Sequence, residues 1–266
     1  MNCSLIISTY NWPKALSLCL QSVMLQIQKP TEIIIADDGS KEETKALVKE
    51  YQGKSRVPIK HIWHPDEGFR LASIRNKAIA AATTDYIVQV DGDLILHPYF
   101  VADHLTMKKE GYFVAGSRVM LSKRSTSNLL AQNSINLRKY AQPSLDMNGI
   151  RSGLLRRYLA KRYKAKGKHT FYVKGCNMAF FKSDLLKVNG YNESFTGWGS
   201  EDRELAIRLI NAAVKKHFLK NGGICYHLNH PSPSREKELR NEEQMKEAIA
   251  SRSVWADDGL NKYLHS

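Results

Sequence analysis

Through the first half of the chain, short apolar runs alternate with stretches of helical period. Leu5-Ile6-Ile7 reads as a strand, and Asn11-Trp12-Pro13 then opens a helix whose Leu16, Leu20, Val23, Met24 and Ile27 share one face. Pro13 suits the first helical position, where a missing N–H costs nothing. Ile33-Ile34-Ile35-Ala36 is the next strand and stops at Asp37-Asp38-Gly39-Ser40. A charged helix over 42–51, a strand over 59–63, a helix over 71–82 and the strand Tyr86-Ile87-Val88-Gln89-Val90 follow. Strands apolar on both faces and joined by helices imply a parallel sheet covered on each side, hence an α/β fold. Ligand sites in such sheets lie beyond the carboxyl ends of the strands. Ser8-Thr9-Tyr10, Asp37-Asp38 and Asp91-Gly92-Asp93 all fall at such ends, so three loops should converge on one crevice.

The second half is less regular. Tyr112–Gly116 and Gly175–Phe181 read as strands, and Leu205, Ile207, Leu209 and Ile210 give a helix over 202–213 its apolar face. A Glu-, Lys- and Arg-rich surface helix is expected over 235–249, whereas residues 122–150 are polar and show no clear period. There is no internal repeat and no low-complexity linker. With 266 residues, 42% of them hydrophobic, the chain fits one large domain, or one domain with an appended lobe. No run of eighteen apolar residues occurs, and the N-terminal Met1-Asn2-Cys3-Ser4-Leu5 lacks the basic start of a secretory signal, which predicts a cytoplasmic location. Cys3, Cys19, Cys176 and Cys225 are scattered and read as reduced thiols.

Charge adds a second theme. Forty Lys and Arg against twenty-six Asp and Glu give a formal charge of +14, which favours a polyanionic partner. No acidic residue lies between Asp146 and Asp184, a stretch that holds ten Lys and Arg, from Arg151 and Arg156 through Lys174 to Lys182. Leu154, Leu155, Tyr158, Leu159 and Tyr163 recur there at helical spacing, which predicts a basic amphipathic helix over 151–164. Such a helix can lie on an anionic membrane or present a solvated face.

Asp91-Gly92-Asp93 carries the candidate chemistry. Two carboxylates one residue apart at a strand end can hold a divalent cation against a diphosphate, although Asp and Gly also simply form turns. The wider sequence decides between these readings. Ile7-Ser8-Thr9-Tyr10-Asn11-Trp12-Pro13, Ala36-Asp37-Asp38-Gly39-Ser40, Arg75-Asn76-Lys77-Ala78-Ile79 and Asp91-Gly92-Asp93 resemble, in order and spacing, family 2 glycosyltransferases of the GT-A fold. Lys174-Gly175-Cys176-Asn177-Met178 extends the likeness. Gly197-Trp198-Gly199-Ser200-Glu201-Asp202 is similar to the W-G-x-E-D element of β1,4-galactosyltransferases and chondroitin-type polymerases.

The resemblance implies a Rossmann-like, mostly parallel sheet within residues 1–230, with a nucleotide-sugar half (1–117), an acceptor half (118–230) that includes the basic segment 151–174, and a helical extension (231–266). It implies a UDP-sugar donor contacted by Thr9, Tyr10, Asp38, Arg70, Arg75, Asp91, Gly92 and Asp93, the arginines facing phosphate. Mn²⁺ or Mg²⁺ would be held by Asp93 and His227, with His230 in reserve. Trp198, Gly199, Glu201 and Asn177 would bind the acceptor, and Asp202 would be the base of an inverting transfer to a glycan or lipid-linked acceptor, in polysaccharide or lipopolysaccharide synthesis at the inner face of a membrane. Arg203, where many relatives carry a polar or acidic residue, would alter acceptor choice or pair with Glu204. Two other readings remain. A nucleotidyltransferase leaves the Trp198 block unexplained, and a nucleic-acid-binding module would stack bases on Tyr158, Tyr163, Phe171 and Tyr172.

Overall fold

Alternate residues of the first strands point into two different cores, which is why these strands are apolar throughout. The computed structural model describes residues 2–135, 149–231 and 234–264. Strands β1 (Ser4–Thr9), β2 (Glu32–Asp37), β3 (Ile59–Trp63) and β4 (Tyr86–Asp91) pair in parallel in the order β3-β2-β1-β4. Leu5, Ile7, Ile33, Ile35, Val88 and Val90 face α1 (Pro13–Met24) on one side of this sheet. Ile6, Ile34 and Ile87 face α3 (Leu71–Ala81) on the other. Each such side chain, fully buried, stabilises the fold by about 1.5–3 kcal/mol. The helix α2 (Glu42–Lys54) runs between β2 and β3 and buries only Thr44 and Val48, in keeping with its charged sequence.

These elements match the sequence reading closely, with one difference at α1. The helix stops at Met24, so Ile27 lies beyond it and is exposed.

The sheet continues from β4 through β8 (Asn177–Phe181) and β6 (Tyr112–Gly116) to β9 (Lys215–Leu219). Strand β8 is antiparallel to both β4 and β6, which makes β6 and β4 run the same way. Its first residue, Asn177, therefore pairs with Val90, and Gly175 and Cys176 arrive beside the carboxyl end of β4. A second sheet joins β5 (Leu94–Leu96), β10 (Cys225–His227) and β7 (Val119–Met120). In it His227 pairs with Leu94, immediately after Asp93.

Three further helices were not expected from the pattern: α4 (Phe100–Met107), α5 (Lys123–Gln132) and the short α7 (Lys182–Lys187). Part of the unassigned stretch 122–150 is thus helical, and residues 136–148 of it lie outside the described residues. The basic segment forms the short α6 (Gly153–Leu159) and a 3-10 turn at Gly167–His169, not a helix over 151–164. Arg156 explains the difference. It turns inward to Asp103 at 2.5 Å while Leu154 and Tyr158 stay exposed, so no continuous apolar face holds a longer helix to the protein. Tyr163 and Tyr172 pack onto the core near Phe218, and Phe171 packs beside Ile207 and Met245, which removes three of the four aromatics proposed to stack on bases. Helix α8 (Glu201–Asn211) is covered by α9 (Glu238–Ala250) through Ile207, Met245 and Ala248. The chain then returns to α3, where Leu260 is fully buried and Tyr263 meets Ser73.

Candidate active site

The carboxyl ends of β1, β2 and β4 meet at a point where the strand order reverses, and backbone register sets the ends level. Thr9 pairs with Asp37, and Ser8 with Asp91. Asn11 ties two of the loops together, its N–H donating to Ser40 Oγ at 2.8 Å and its Oδ1 accepting from Lys41 N at 2.9 Å. An open cavity of about 600 Å³ lies over this junction. It is lined by Thr9, Tyr10, Asp38, Arg75, Asp91, Gly92, Asp93, Trp198, Gly199, Glu201, Asp202, His227 and His230, so nearly every residue singled out in the sequence reaches one space.

At one end, the two aspartates after β2 divide their work. Asp37 is fully buried, accepts the Ser40 N–H at 2.8 Å and meets His61 at 2.8 Å, so it builds the turn. Asp38 faces the cavity, with Oδ1 on His64 Nε2 at 2.6 Å and Oδ2 accepting the Arg70 N–H at 3.0 Å. Lys77 Nζ donates to His64 Nδ1 at 3.2 Å, which leaves the proton on Nε2 to donate to Asp38. Arg70 corrects an expectation: its guanidinium binds Glu67 at 2.7 Å and the Pro65 carbonyl at 3.0 Å, so it braces its own loop and does not line the cavity.

At the centre, Asp93, His227 and His230 place one ligand atom each within 4.8 Å of one another. Nδ1 of His227 donates to the Leu228 carbonyl and Nδ1 of His230 to the Pro231 carbonyl, both at 2.7 Å. Each ring therefore presents Nε2 to Asp93, at 3.3 and 3.0 Å. Asp93 Oδ1 is buried without a hydrogen-bond partner. Two imidazoles oriented by backbone carbonyls and a carboxylate with a spare oxygen fit a divalent cation, and the mixed nitrogen and oxygen donors suit Mn²⁺ better than Mg²⁺. Both histidines, the first choice His227 and the reserve His230, share in the cluster.

Arg75 occupies the other side. It is 1% exposed and sits among carboxylates: Asp91 at 3.0 Å, Asp202 at 2.8 Å and Glu201 at 3.4 Å, with Ser8 Oγ at 3.3 Å. Burial disfavours its charge, but Tyr191 and the three carboxylates outweigh this and hold the guanidinium above its usual range. Burial also pushes Asp91 up to about 6, Arg75 opposing and Asp93 and Asp202 adding to the rise. Glu201 goes up to about 8, through burial first and the charge of Asp202 second. The shift favours the protonated form of Glu201, the form that can donate a hydrogen bond.

Helix α8 begins at Glu201, placing both carboxyls in its first turn where the macrodipole favours negative charge. Ser200 before it is left-handed, with φ 72°, so the chain turns sharply from Gly199 into the helix. Gly175 packs so tightly against Asp202 that a Cβ there would overlap the carboxylate. Glu204 is bound by Arg208 at 2.6 Å, which leaves Arg203 to line the cavity without pairing with Glu204. Arg235 lies over the Trp198 ring at 5.2 Å.

Asn177 is the other correction. It is fully buried, its amide donating to the carbonyls of Ser117 and Gly223 at 2.8 and 2.9 Å and its Oδ1 meeting His104 at 2.8 Å, so it fastens two loops to α4 and does not line the cavity. Arg118 was missed. It lines the cavity near Asp91 and Asp93 with Nη1 3.6 Å from Cys176 Sγ. It lies two residues beyond β6, and only the reversed direction of β8 reveals that this strand end faces the site.

Comparison with known proteins agrees with this arrangement. The model for "Glycosyl transferase family 2" matches residues 4–188, and that for "N-terminal domain of galactosyltransferase" matches residues 157–231. Chondroitin synthases of Escherichia coli and Pasteurella multocida are each 28% identical over 88% of this chain, which spans 35% and 25% of their lengths. Validoxylamine A glucosyltransferase of Streptomyces hygroscopicus subsp. limoneus is 26% identical over 77% of the chain and 47% of its own length. Among solved structures, S. aureus TarS 1-349 superposes with a TM-score of 0.66 at 16% identity, covering 99% of this chain and 68% of that one, and has also been solved with UDP and with UDP-GlcNAc. A mannosyltransferase from Pyrobaculum calidifontis in complex with GDP-Man and Mn²⁺ gives 0.62 at 16% identity, covering 99% of this chain and 68% of its own. With the GT-A fold in place and a family match over residues 4–188, the chain belongs to glycosyl transferase family 2.

Proposed function

We propose that this chain transfers a hexose or N-acetylhexosamine from a UDP-sugar to a hydroxyl of a glycan acceptor, with inversion at the anomeric carbon, as a step in polysaccharide synthesis. The observation that carries this reading is the sharing of one cavity by the Asp93, His227 and His230 cluster and the Asp202 carboxylate, joined through Arg75 and Asp91. The chondroitin synthases and the validoxylamine glucosyltransferase support sugar transfer, and the UDP complexes of TarS support the nucleotide.

Thr9, Tyr10 and Asp38 would receive the uridine, Asp38 accepting from the uracil imide or the ribose with its orientation fixed by His64. Asp93, His227 and His230 would hold Mn²⁺ or Mg²⁺, which when bound offsets charge on the departing diphosphate. Arg118 would add a guanidinium to the phosphate oxygens, the part expected of Arg70 and Arg75. Trp198 would offer a sugar ring an apolar face, and Glu201, whose protonated form is favoured by burial, would donate a hydrogen bond to it. Asp202 takes the proton of the acceptor hydroxyl as its oxygen bonds to the anomeric carbon, while the bond from that carbon to the phosphate oxygen breaks on the opposite face and UDP leaves.

UDP release from a panel of UDP-sugars, with and without Mn²⁺ and with a mixture of sugar acceptors, tests the proposal. Metal-dependent release from one donor, increased by one acceptor, is the expected result. No release and no UDP binding would overturn it.

A further inference from the structure

Helix α6 is built inside out. A surface helix normally turns leucines to the core and arginines to water. Here Arg156 is 6% exposed and held by Asp103 at 2.5 Å, with Arg151 on the same carboxylate at 2.8 Å. Leu154 is 84% exposed, Tyr158 60% and Leu155 48%. The helix is anchored at its start as well, since Ser152 caps it through Leu155 N and its own N–H donates to the Asn221 carbonyl at 2.9 Å. Its apolar side chains are thus presented outward on a fixed support.

The surroundings of these side chains say what they face. Arg157, Lys161 and Arg162 are exposed beside them, with the Arg162 guanidinium over the Tyr158 ring at 4.4 Å. No acidic residue occurs in the sequence from 147 to 183. Leucines and an aromatic ring beside Arg157, Lys161 and Arg162 match the chemistry of an anionic lipid surface, where apolar groups enter the acyl boundary and the cations meet headgroup phosphates. A second copy of the chain would bring the same cations against one another. We propose that α6 and the turn after it form a docking surface for an anionic bilayer.

The place of α6 in the fold gives this surface a use. Asp103, which holds both arginines, also accepts the Gly223 N–H at 3.0 Å, in the loop that leads from β9 to β10 and so to His227. Strand β9 is parallel to β6 and ends at the same edge of the sheet as β1 and β4. Ser152 bonds to Asn221 just after β9, so a bilayer bound at α6 would meet the molecule near the carboxyl ends of the strands, the end of the sheet at which the cavity lies. The docking surface does not depend on the sugar-transfer reading, and its test uses no substrate.

The experiment is cosedimentation of the full chain with vesicles of phosphatidylcholine alone or enriched in phosphatidylglycerol. The expected result is binding to the anionic vesicles and little to the neutral ones. Leu154→Ser with Leu155→Ser, and separately Arg157→Glu with Lys161→Glu, should each weaken partition by about ten-fold or more. Both pairs are exposed, so their thermal melting should match the wild type. The proposal is overturned if the wild type ignores anionic vesicles or binds both kinds equally. Undiminished binding by the leucine variant overturns it too, as does a leucine-dependent dimer in sedimentation without vesicle binding.

Discussion

Asp202→Asn removes a charge from the centre of the site while keeping its shape. Asp202 Oδ1 accepts from Arg75 Nη1 at 2.8 Å, and an asparagine oxygen can accept the same bond. Arg75 would still hold Asp91 at 3.0 Å and Glu201 at 3.4 Å. One cation now faces three carboxylates, so losing an anion relieves repulsion and leaves no buried charge unpaired. Two carboxylates about 5 Å apart repel by about 3 kcal/mol at an effective dielectric near 20. Burial and the charge of Asp202 raise Glu201 to about 8, which already relieves much of this repulsion. The stability recovered is therefore on the order of 1 kcal/mol, a rise in Tm of about 2–4 °C for a chain of this length. Removing a general base should at the same time lower turnover by about 10²–10⁴-fold.

The assay pairs UDP release in the presence of acceptor with thermal melting and with UDP binding in Mn²⁺. A variant that melts about 2–4 °C above the wild type, binds UDP and does not transfer is the expected outcome. Turnover within about three-fold of wild type would remove Asp202 from the role of base. A fall in Tm of more than about 4 °C would show that its charge holds the fold together and would refute the electrostatic argument.

Other perturbations read different parts of the same structure. His227→Ala with His230→Ala should abolish Mn²⁺ binding measured by calorimetry, and retained affinity would exclude the cluster as the metal site. Gly175→Ala should push the Asp202 carboxylate aside, lowering turnover by about ten-fold or more at a stability cost of about 1–3 kcal/mol; a fully active variant would show that the close approach is unimportant. Glu32 is buried, yet bonds from Lys60, Ser4 and Thr83 outweigh burial and hold it down to about 2 from the usual 4.5. A depressed carboxyl stabilises the fold above pH 4.5 and loses that contribution as pH falls toward 2, here about 3 kcal/mol. Glu32→Gln should therefore flatten the acid limb of the stability curve between those values, and an unchanged limb would show that other carboxyls govern it.

The parallel half of the molecule was readable because burial on both faces leaves its mark on every residue of a strand. Leu5, Ile6 and Ile7 must all be apolar, and a turn with Asp37 and Gly39 must follow such a strand. The second sheet was not readable for the same physical reason. Strands β7 and β10 are two and three residues long, too short for any period, and they exist because β5 offers β10 an edge. The family resemblance implied a metal ligand at His227 with His230 in reserve, but only that pairing puts His227 next to Asp93, and only the loop beyond it brings in His230. Arg156 and Leu154 show the converse failure. Their chemistry predicts the opposite exposure, and a distant Asp103 reverses it.

Arg75 combines both cases. Its place on the face of α3 toward the strand ends was legible, whereas its partners were not, because Asp91 comes from β4 and Glu201 and Asp202 from a helix more than a hundred residues away. A guanidinium on a solvent-facing helix would seek phosphate. Held by three carboxylates it has most of its N–H groups engaged, whereas Arg118, whose strand end the sequence could not orient, lines the same cavity. The residues that give such a site its reach are therefore legible one by one, while the division of labour among them follows from which strands run antiparallel.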